Sequence, residues 1–242
     1  MTLLTEKRQD FVHTIFNQYC KGQIVFDLGA TEGDYTQIAL DNGAIKVYAF
    51  EPGAVSCAQM RTTFANDNRV IIEQCAVSDE ITILKNVTWL NSWCLGRPSE
   101  IDLPVSPGAC DIEGYDLVDI ATITLDDYMN KNNVNKVGIF KLDIDGYEHK
   151  ALRGATRLLD EDRPLILMEL SFYVDKIEKN SVPLFIELLK NKNYQFVTHD
   201  GYLCSPELVL QEYPWHSSCD VILIPNEQLD EFKSLFNNGQ LT

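Results

Sequence analysis

The sequence predicts an α/β domain organised around a mostly parallel sheet, and three observations carry that expectation. Short apolar runs alternate with stretches of helical periodicity along most of the chain, the pattern of parallel strands joined by right-handed crossovers. Residues Ile24 to Gly33, reading IVFDLGATEG, pass from an apolar run into a polar turn flanked by Gly29 and Gly33. A buried strand hands over to a helix in this way when the turn admits a nucleotide-like ligand. The next apolar run, Val47 to Phe50, ends in Glu51 about twenty residues further on, where an acid can hold both hydroxyls of a ribose. The 242 residues, 45% of them hydrophobic, suffice for one domain with a sizeable core, and no repeat or linker divides residues 1–242.

Leu4, Phe11, Val12, Ile15, Phe16 and Tyr19 recur at helical intervals, which predicts an amphipathic helix within residues 1–21. Strand one is expected over 23–28, and Thr31 followed by Asp34 resembles a capping box opening a helix over 32–41. A second strand over 46–51 leads into a helix over about 54–66, then a third strand from Val70 to Val77 and a short one from Ile81 to Lys85. Residues 87–115 lose all periodicity and hold Trp89, Trp93 and three prolines. A segment of that length is either a flap over the site that bears on substrate or a tolerated surface insertion. A strand is expected again from Asp119 to Leu125, with a short helix from Asp126. Strand four is Val137 to Asp143, followed by a turn at Gly146 and a helix to about Leu159. Pro164 to Leu170 read as strand five, with Glu169 near its end. Ser181 and Pro183 open a helix with Phe185, Leu188 and Leu189 on its core face, and Tyr194 to Thr198 and Cys219 to Ile224 are the last strands.

The glycine turn narrows the ligand by what it lacks. A dinucleotide fingerprint is G-x-G-x-x-G, whose second glycine lets the backbone close on a pyrophosphate. Here Thr31 stands at that position, the order is D-x-G-x-x-x-G, and no arginine or lysine follows before Lys46. A ligand with a ribose and no phosphate fits better. S-adenosylmethionine is the common one, and its ammonium and sulfonium suit a turn carrying Asp27, Glu32 and Asp34. An ordinary strand-to-helix turn is the alternative for the turn alone, and Glu51 at the right interval weighs against it.

The net charge of −16 disfavours nucleic acid and anionic membrane as partners, since both require a basic footprint. Seven cysteines, odd in number and never in C-x-x-C spacing, argue against a zinc site or a disulfide framework. The N-terminal residues MTLLTEKRQD lack an apolar signal core, and no apolar run approaches spanning length. A soluble, cytoplasmic protein is therefore expected.

A second cluster of chemical groups lies at Phe140 to Gly154, FKLDIDGYEHKALRG. Lys141, Asp143 and Asp145 alternate along a strand end, so they face one way while the backbone stays extended. Asp27, Glu51, Asp143 and Glu169 all fall at carboxyl ends of strands, where open α/β sheets bind ligands. So many acids on one edge require a cation, a metal or shared protons to offset them.

The succession DLGATEG, FEP at Phe50 to Pro52, AVSD at Ala76 to Asp79, TLDDY at Thr124 to Tyr128 and KLDIDGYEHKALRGA resembles the FkbM-type S-adenosylmethionine-dependent methyltransferases. The likeness spans roughly residues 22–225, and its most specific part is K-x-D-x-[DE]-G-x-E-x-x-x-L-x-G, met by Lys141, Asp143, Asp145, Gly146, Glu148, Leu152 and Gly154. Asp145 stands where that family more often has Glu, and residues 87–115 have no clear counterpart. The resemblance implies a class I methyltransferase (Rossmann-like) three-layer sandwich, with a mostly parallel seven-stranded sheet and an antiparallel strand near the C-terminus. It implies methyl transfer to a hydroxyl of a sugar, glycan or small molecule, with S-adenosyl-L-homocysteine as product. By the same likeness Asp27, Gly29 and Gly33, with Ala30 and Thr31 between them, would line the methionine end of the cofactor. Glu51, followed by Pro52, would take the ribose, Asp79 or Ser78 would meet the adenine, and Asp143 would sit at the cofactor's reactive end.

A neutral hydroxyl is a poor nucleophile, so a base must take its proton during attack. Asp143, at the strand end, is the leading choice. His149 and His216 are rivals, and His216 beside Trp215 is the more interesting because an aromatic neighbour suits a sugar face. Lys141 would neutralise the acids. A divalent cation among those acids is a minority alternative, and no metal ligand is assigned. Two other readings compete with an O-methyltransferase: an NAD(P)-dependent oxidoreductase on a related sheet, and a non-catalytic cofactor-binding module.

Overall fold

The computed structural model describes residues 14–90, 93–96, 116–171, 181–198, 202–205 and 218–235. Within them the chain runs α1 (14–19), β1 (Ile24–Leu28), α2 (Asp34–Asp41), β2 (Lys46–Phe50), α3 (Ala54–Thr63), β3 (Val70–Glu73), β4 (Ala76–Val77), β5 (Ile83–Leu90) and β6 (Trp93–Gly96). It continues with β7 (Asp116–Ile123), α4 (Leu125–Asn132), β8 (Val137–Leu142), α5 (Glu148–Arg153), β9 (Leu165–Ser171), α6 (Ser181–Asn191), β10 (Tyr194–Thr198), β11 (Leu203–Cys204), β12 (Ser218–Pro225) and α7 (Leu229–Leu235).

Alternate residues of the central strands point to opposite faces, and this period of two builds two cores. Phe26, Leu28, Phe140, Leu142 and Met168 face one way and pack with Met129 of α4, Leu152 of α5 and Leu189 of α6. Val25, Val47, Ile139 and Leu167 face the other way and pack with Phe16 of α1, Leu40 of α2, Met60 of α3 and Phe232 of α7. Each large side chain withdrawn from water stabilises the fold by about 1.5–3 kcal/mol before conformational entropy is set against it. The result is a three-layer α/β/α arrangement.

The main sheet has the order β11-β10-β12-β9-β8-β1-β2-β3. Pairing is parallel among β3, β2, β1, β8 and β9, and β12 runs antiparallel to both β9 and β10. Seven strands with an antiparallel one near the C-terminus match the expectation, and the two-residue β11 is added at the edge. Strand order reverses at β1, which lies between β2 and β8, so a crevice opens beyond their carboxyl ends. Among the described residues no helix is long and apolar enough to cross a membrane.

Four local expectations need correction. The single strand from Val70 to Val77 is two strands, because Cys75 N–H turns back to the Glu73 carbonyl at 3.1 Å and the chain changes sheets there. β4 opens a second sheet of order β4-β7-β5-β6. Residues 87–90 and 93–96 are therefore strand rather than irregular loop. β5 carries a bulge between Leu84 and Val87, with Asn86 at φ 54, and that extra residue erases the period-two signal. The rest of the proposed flap, 97–115, lies outside the described residues, as do Trp215 and His216. Helix α2 starts at Asp34 after Gly33 at φ 94, with no side-chain cap, so Thr31 does not form the capping box. Beyond Gly146 the helix ends at Arg153, and a π-type turn at Leu158–Asp162 completes the segment.

Candidate active site

The turn after β1 is set by a close approach of two strands. A Cβ on Gly29 would lie 1.9 Å from the Asp143 carbonyl oxygen, and Gly29 has φ 69, so only glycine fits between β1 and the end of β8. Thr31 follows at φ 47 and gives its N–H to Glu51 Oε2 at 3.0 Å. Glu51 Oε1 accepts from the Gly53 N–H at 2.7 Å. One carboxylate thus ties together the turns after β1 and β2. Burial pushes the Glu51 carboxyl up from its ordinary range, opposed by the Gly53 and Thr31 amides and by the Lys141 charge.

Lys141 is the electrostatic centre of this edge. Its Nζ lies 3.6 Å from Asp27 Oδ1 and 3.7 Å from Asp143 Oδ2, and it donates to the carbonyls of Leu28 at 3.0 Å and Gly29 at 2.9 Å. The lysine neutralises two acids and holds the turn at once. Asp27 is 1% exposed and accepts from Thr36 Oγ1 at 2.7 Å, which fastens α2 to β1.

Beyond β8 the backbone does not stay extended as the alternation of Lys141, Asp143 and Asp145 predicts. The strand stops at Leu142, and Asp145 takes φ 54 before Gly146 at φ 99. Burial, then the charges of Asp143 and Glu169, push the Asp145 carboxyl up to about 6, with Lys141 pulling the other way. Glu148 is 2% exposed, and burial pushes its carboxyl up to about 8 although its Oε1 accepts from the amides of Ile144 and Gly146.

A cavity of about 300 Å³ opens above these groups. Gly29, Thr31, Glu51, Pro52, Ser78 and Asp143 line it, so six of the predicted positions are brought together. Asp27, Ala30, Gly33 and Asp79 do not line it. Ala30 is 3% exposed in the core beneath, and Gly33 precedes α2. Asp79 turns to Arg153, whose Nε and terminal nitrogen each reach its Oδ2 at 2.8 Å; burial raises this carboxyl, but the guanidinium prevails and holds it low. His149 is 2% exposed on α5 and does not line the cavity. His216 lies outside the described residues.

Sequence reasoning missed the opposite wall. Leu84 and Val87 of β5 and Ile120 and Thr122 of β7 line the cavity, so the second sheet closes its apolar side. Tyr35 and Tyr147 line it as well. The expected strands from Ile81 to Lys85 and from Asp119 to Leu125 take in Leu84, Ile120 and Thr122, but their pattern could not say what those strands face. Among the described residues no three His, Cys, Asp or Glu side chains are grouped to hold a metal ion.

Comparison with known proteins agrees with this edge. Residues 27–196 match the family model described as the methyltransferase FkbM domain. A curated relative, 31-O-demethyl-FK506 methyltransferase FkbM of Streptomyces tacrolimicus, is 27% identical over 167 residues, which is 60% of this chain and 63% of that protein. The match thus spans less than two thirds of that relative's length. Among solved structures, methyltransferase FkbM from Methylobacillus flagellatus superposes with a TM-score of 0.52 at 16% identity, covering 84% of this chain and 44% of that one. A Streptococcus mutans structure solved in complex with SAH has a TM-score of 0.50 at 13% identity, covering 89% of this chain and 96% of that one. With a matched segment that begins at Asp27 and takes in Glu51, Lys141, Asp143 and Glu148, the chain belongs to the FkbM methyltransferase family.

Proposed function

We propose that the protein is an S-adenosylmethionine-dependent O-methyltransferase acting on a hydroxyl of a sugar, glycan or small molecule. The observation that carries the reading is the doubly anchored Glu51 carboxylate lining a cavity that Asp34, Glu80, Asp143 and Asp145 also line. Both Glu51 oxygens keep a lone pair for ribose hydroxyls after binding the Thr31 and Gly53 amides. Gly29 lets the turn after β1 lie against the Asp143 backbone, and both residues line the cavity. Lys141 is already committed to Asp27, Asp143 and two carbonyls, and the other lysine of the lining, Lys150, lies over the Tyr147 ring. The apolar wall of Val77, Leu84, Val87 and Ile120 suits a purine. S-adenosylmethionine supplies an electrophilic methyl on a sulfonium, and the acids at this edge favour its positive charge.

The chain's own task is to orient the acceptor oxygen and take its proton as the O–CH3 bond forms. Asp143 was the choice from sequence, but its carboxylate is engaged by Lys141. Asp145 lines the same cavity with its carboxyl raised to about 6, near working pH and so suited to take a proton. We assign it the proton and leave Asp143 to hold Lys141 and the local field. The name of the Streptomyces relative supports oxygen as the acceptor atom.

The test is release of S-adenosylhomocysteine from S-adenosylmethionine across a panel of sugars, glycans and hydroxylated small molecules. Turnover on a hydroxyl compound, reduced about 10²–10⁴-fold in Asp145→Asn, is the expected result. Transfer to amines alone, or cofactor binding with no turnover on the whole panel, would overturn it, the second outcome favouring a non-catalytic binding module.

A further inference from the structure

The residue assigned the proton has no regular element to hold it. Asp145 lies between the end of β8 and the start of α5 with φ 54, a left-handed backbone uncommon for a residue with a side chain. Its neighbours on both sides are fastened to one atom. Glu148 Oε1 accepts the N–H of Ile144 at 3.0 Å and the N–H of Gly146 at 3.1 Å, the two amides that bracket Asp145. Glu148 itself is the first residue of α5 and is 2% exposed.

We infer that Glu148 is a positioning residue: its carboxyl oxygen clamps the 144–146 turn and thereby holds the Asp145 side chain at the cavity wall. The inference rests on the reading of Asp145 as proton acceptor. Burying a carboxyl is costly, and burial raises this one to about 8. An apolar side chain would fill the same space without that cost, yet it could not accept from two amides. Without the clamp those N–H groups would turn to water, the strained φ would relax, and the Asp145 carboxyl would leave the burial and the acidic neighbours that raise its affinity for a proton. The clamp needs only an acceptor oxygen, not a negative charge, so an amide in place of the acid should serve.

The experiment compares Glu148→Gln, which keeps the oxygen, with Glu148→Met, which fills the volume and keeps the core without it. Three quantities are measured: exchange of the Ile144 and Gly146 amides, the Asp145 carboxyl titration followed by its 13C shift, and S-adenosylhomocysteine affinity by calorimetry. In Glu148→Met both amides should exchange about tenfold or more faster, as expected for losing a buried acceptor, and Asp145 should titrate nearer an ordinary aspartate. Affinity should stay within about threefold of the parent, because Glu51 and the β1 turn are untouched. Glu148→Gln should restore both amide protection and the Asp145 titration. Unchanged exchange and titration in Glu148→Met, or a Glu148→Gln variant as altered as the Met variant, would overturn the clamp. Full turnover by Asp145→Asn on the hydroxyl panel would instead sink the proton-acceptor reading and leave the clamp measurements standing, so the two failures are separable.

Discussion

Asp145 concentrates the chemistry of this molecule at the scale of one residue. Burial and the neighbouring Asp143 and Glu169 raise its carboxyl to about 6, so it is charged and able to take a proton above that pH. Turnover per cofactor-bound enzyme should fall below about pH 6 and level off above it, and the limb should vanish in Asp145→Asn; a pH profile of kcat checks this. Gly29→Ala should be severe, because its Cβ would lie 1.9 Å from the Asp143 carbonyl at a φ of 69. A loss of at least about 1–3 kcal/mol is expected on urea denaturation. Much of this scale was legible in the sequence. Gly29, in the turn after one strand, and Glu51, at the end of the next, both follow from the strand-turn pattern and both line the cavity. Thr31 lines the cavity but does not cap α2, which begins only at Asp34 after Gly33 at φ 94. Asp145 was placed by extrapolating a strand that ends at Leu142, and no side-chain pattern announces a left-handed residue there.

At the scale of elements, the cavity is assembled by two contacts between segments distant in sequence. Helix α5 packs so closely on the segment after β4 that a Cβ on Gly154 would stand 2.2 Å from the Ser78 carbonyl oxygen. Gly154→Ala should push α5 away from Ser78, costing about 1–3 kcal/mol in stability and weakening S-adenosylhomocysteine binding; chemical denaturation and calorimetry read the two effects. The second contact is Thr122, 2% exposed, whose Oγ1 donates to the Glu80 carbonyl at 2.8 Å and accepts the Thr82 N–H at 3.0 Å. The alternation of parallel strands with helices was readable from the succession of apolar runs and helical periods. The second sheet was not, because a bulge at Asn86 breaks the period of β5 and its partner β7 lies beyond an aperiodic stretch.

At the scale of the whole molecule, two cores on opposite faces of one sheet hold the acidic edge rigid, and the edge in turn makes stability depend on pH. Glu148 carries its proton to about 8 in the folded chain against an ordinary 4.5, so the folded state binds more protons between those values. The stability it contributes is fully present below about 4.5 and is lost as pH rises through about 8. Glu148→Gln cannot titrate, so its melting temperature relative to the parent should climb between about pH 5 and pH 9. A constant difference across that range would contradict the assignment. The most direct measurement is calorimetric titration of S-adenosylhomocysteine and of NADH into the parent protein and Glu51→Ala. S-adenosylhomocysteine should bind the parent, lose about 10- to 100-fold in affinity in Glu51→Ala, and outcompete NADH in both. Equal affinity in parent and variant, or tighter binding of NADH, would contradict an acid-rimmed site built for a phosphate-free adenosine cofactor.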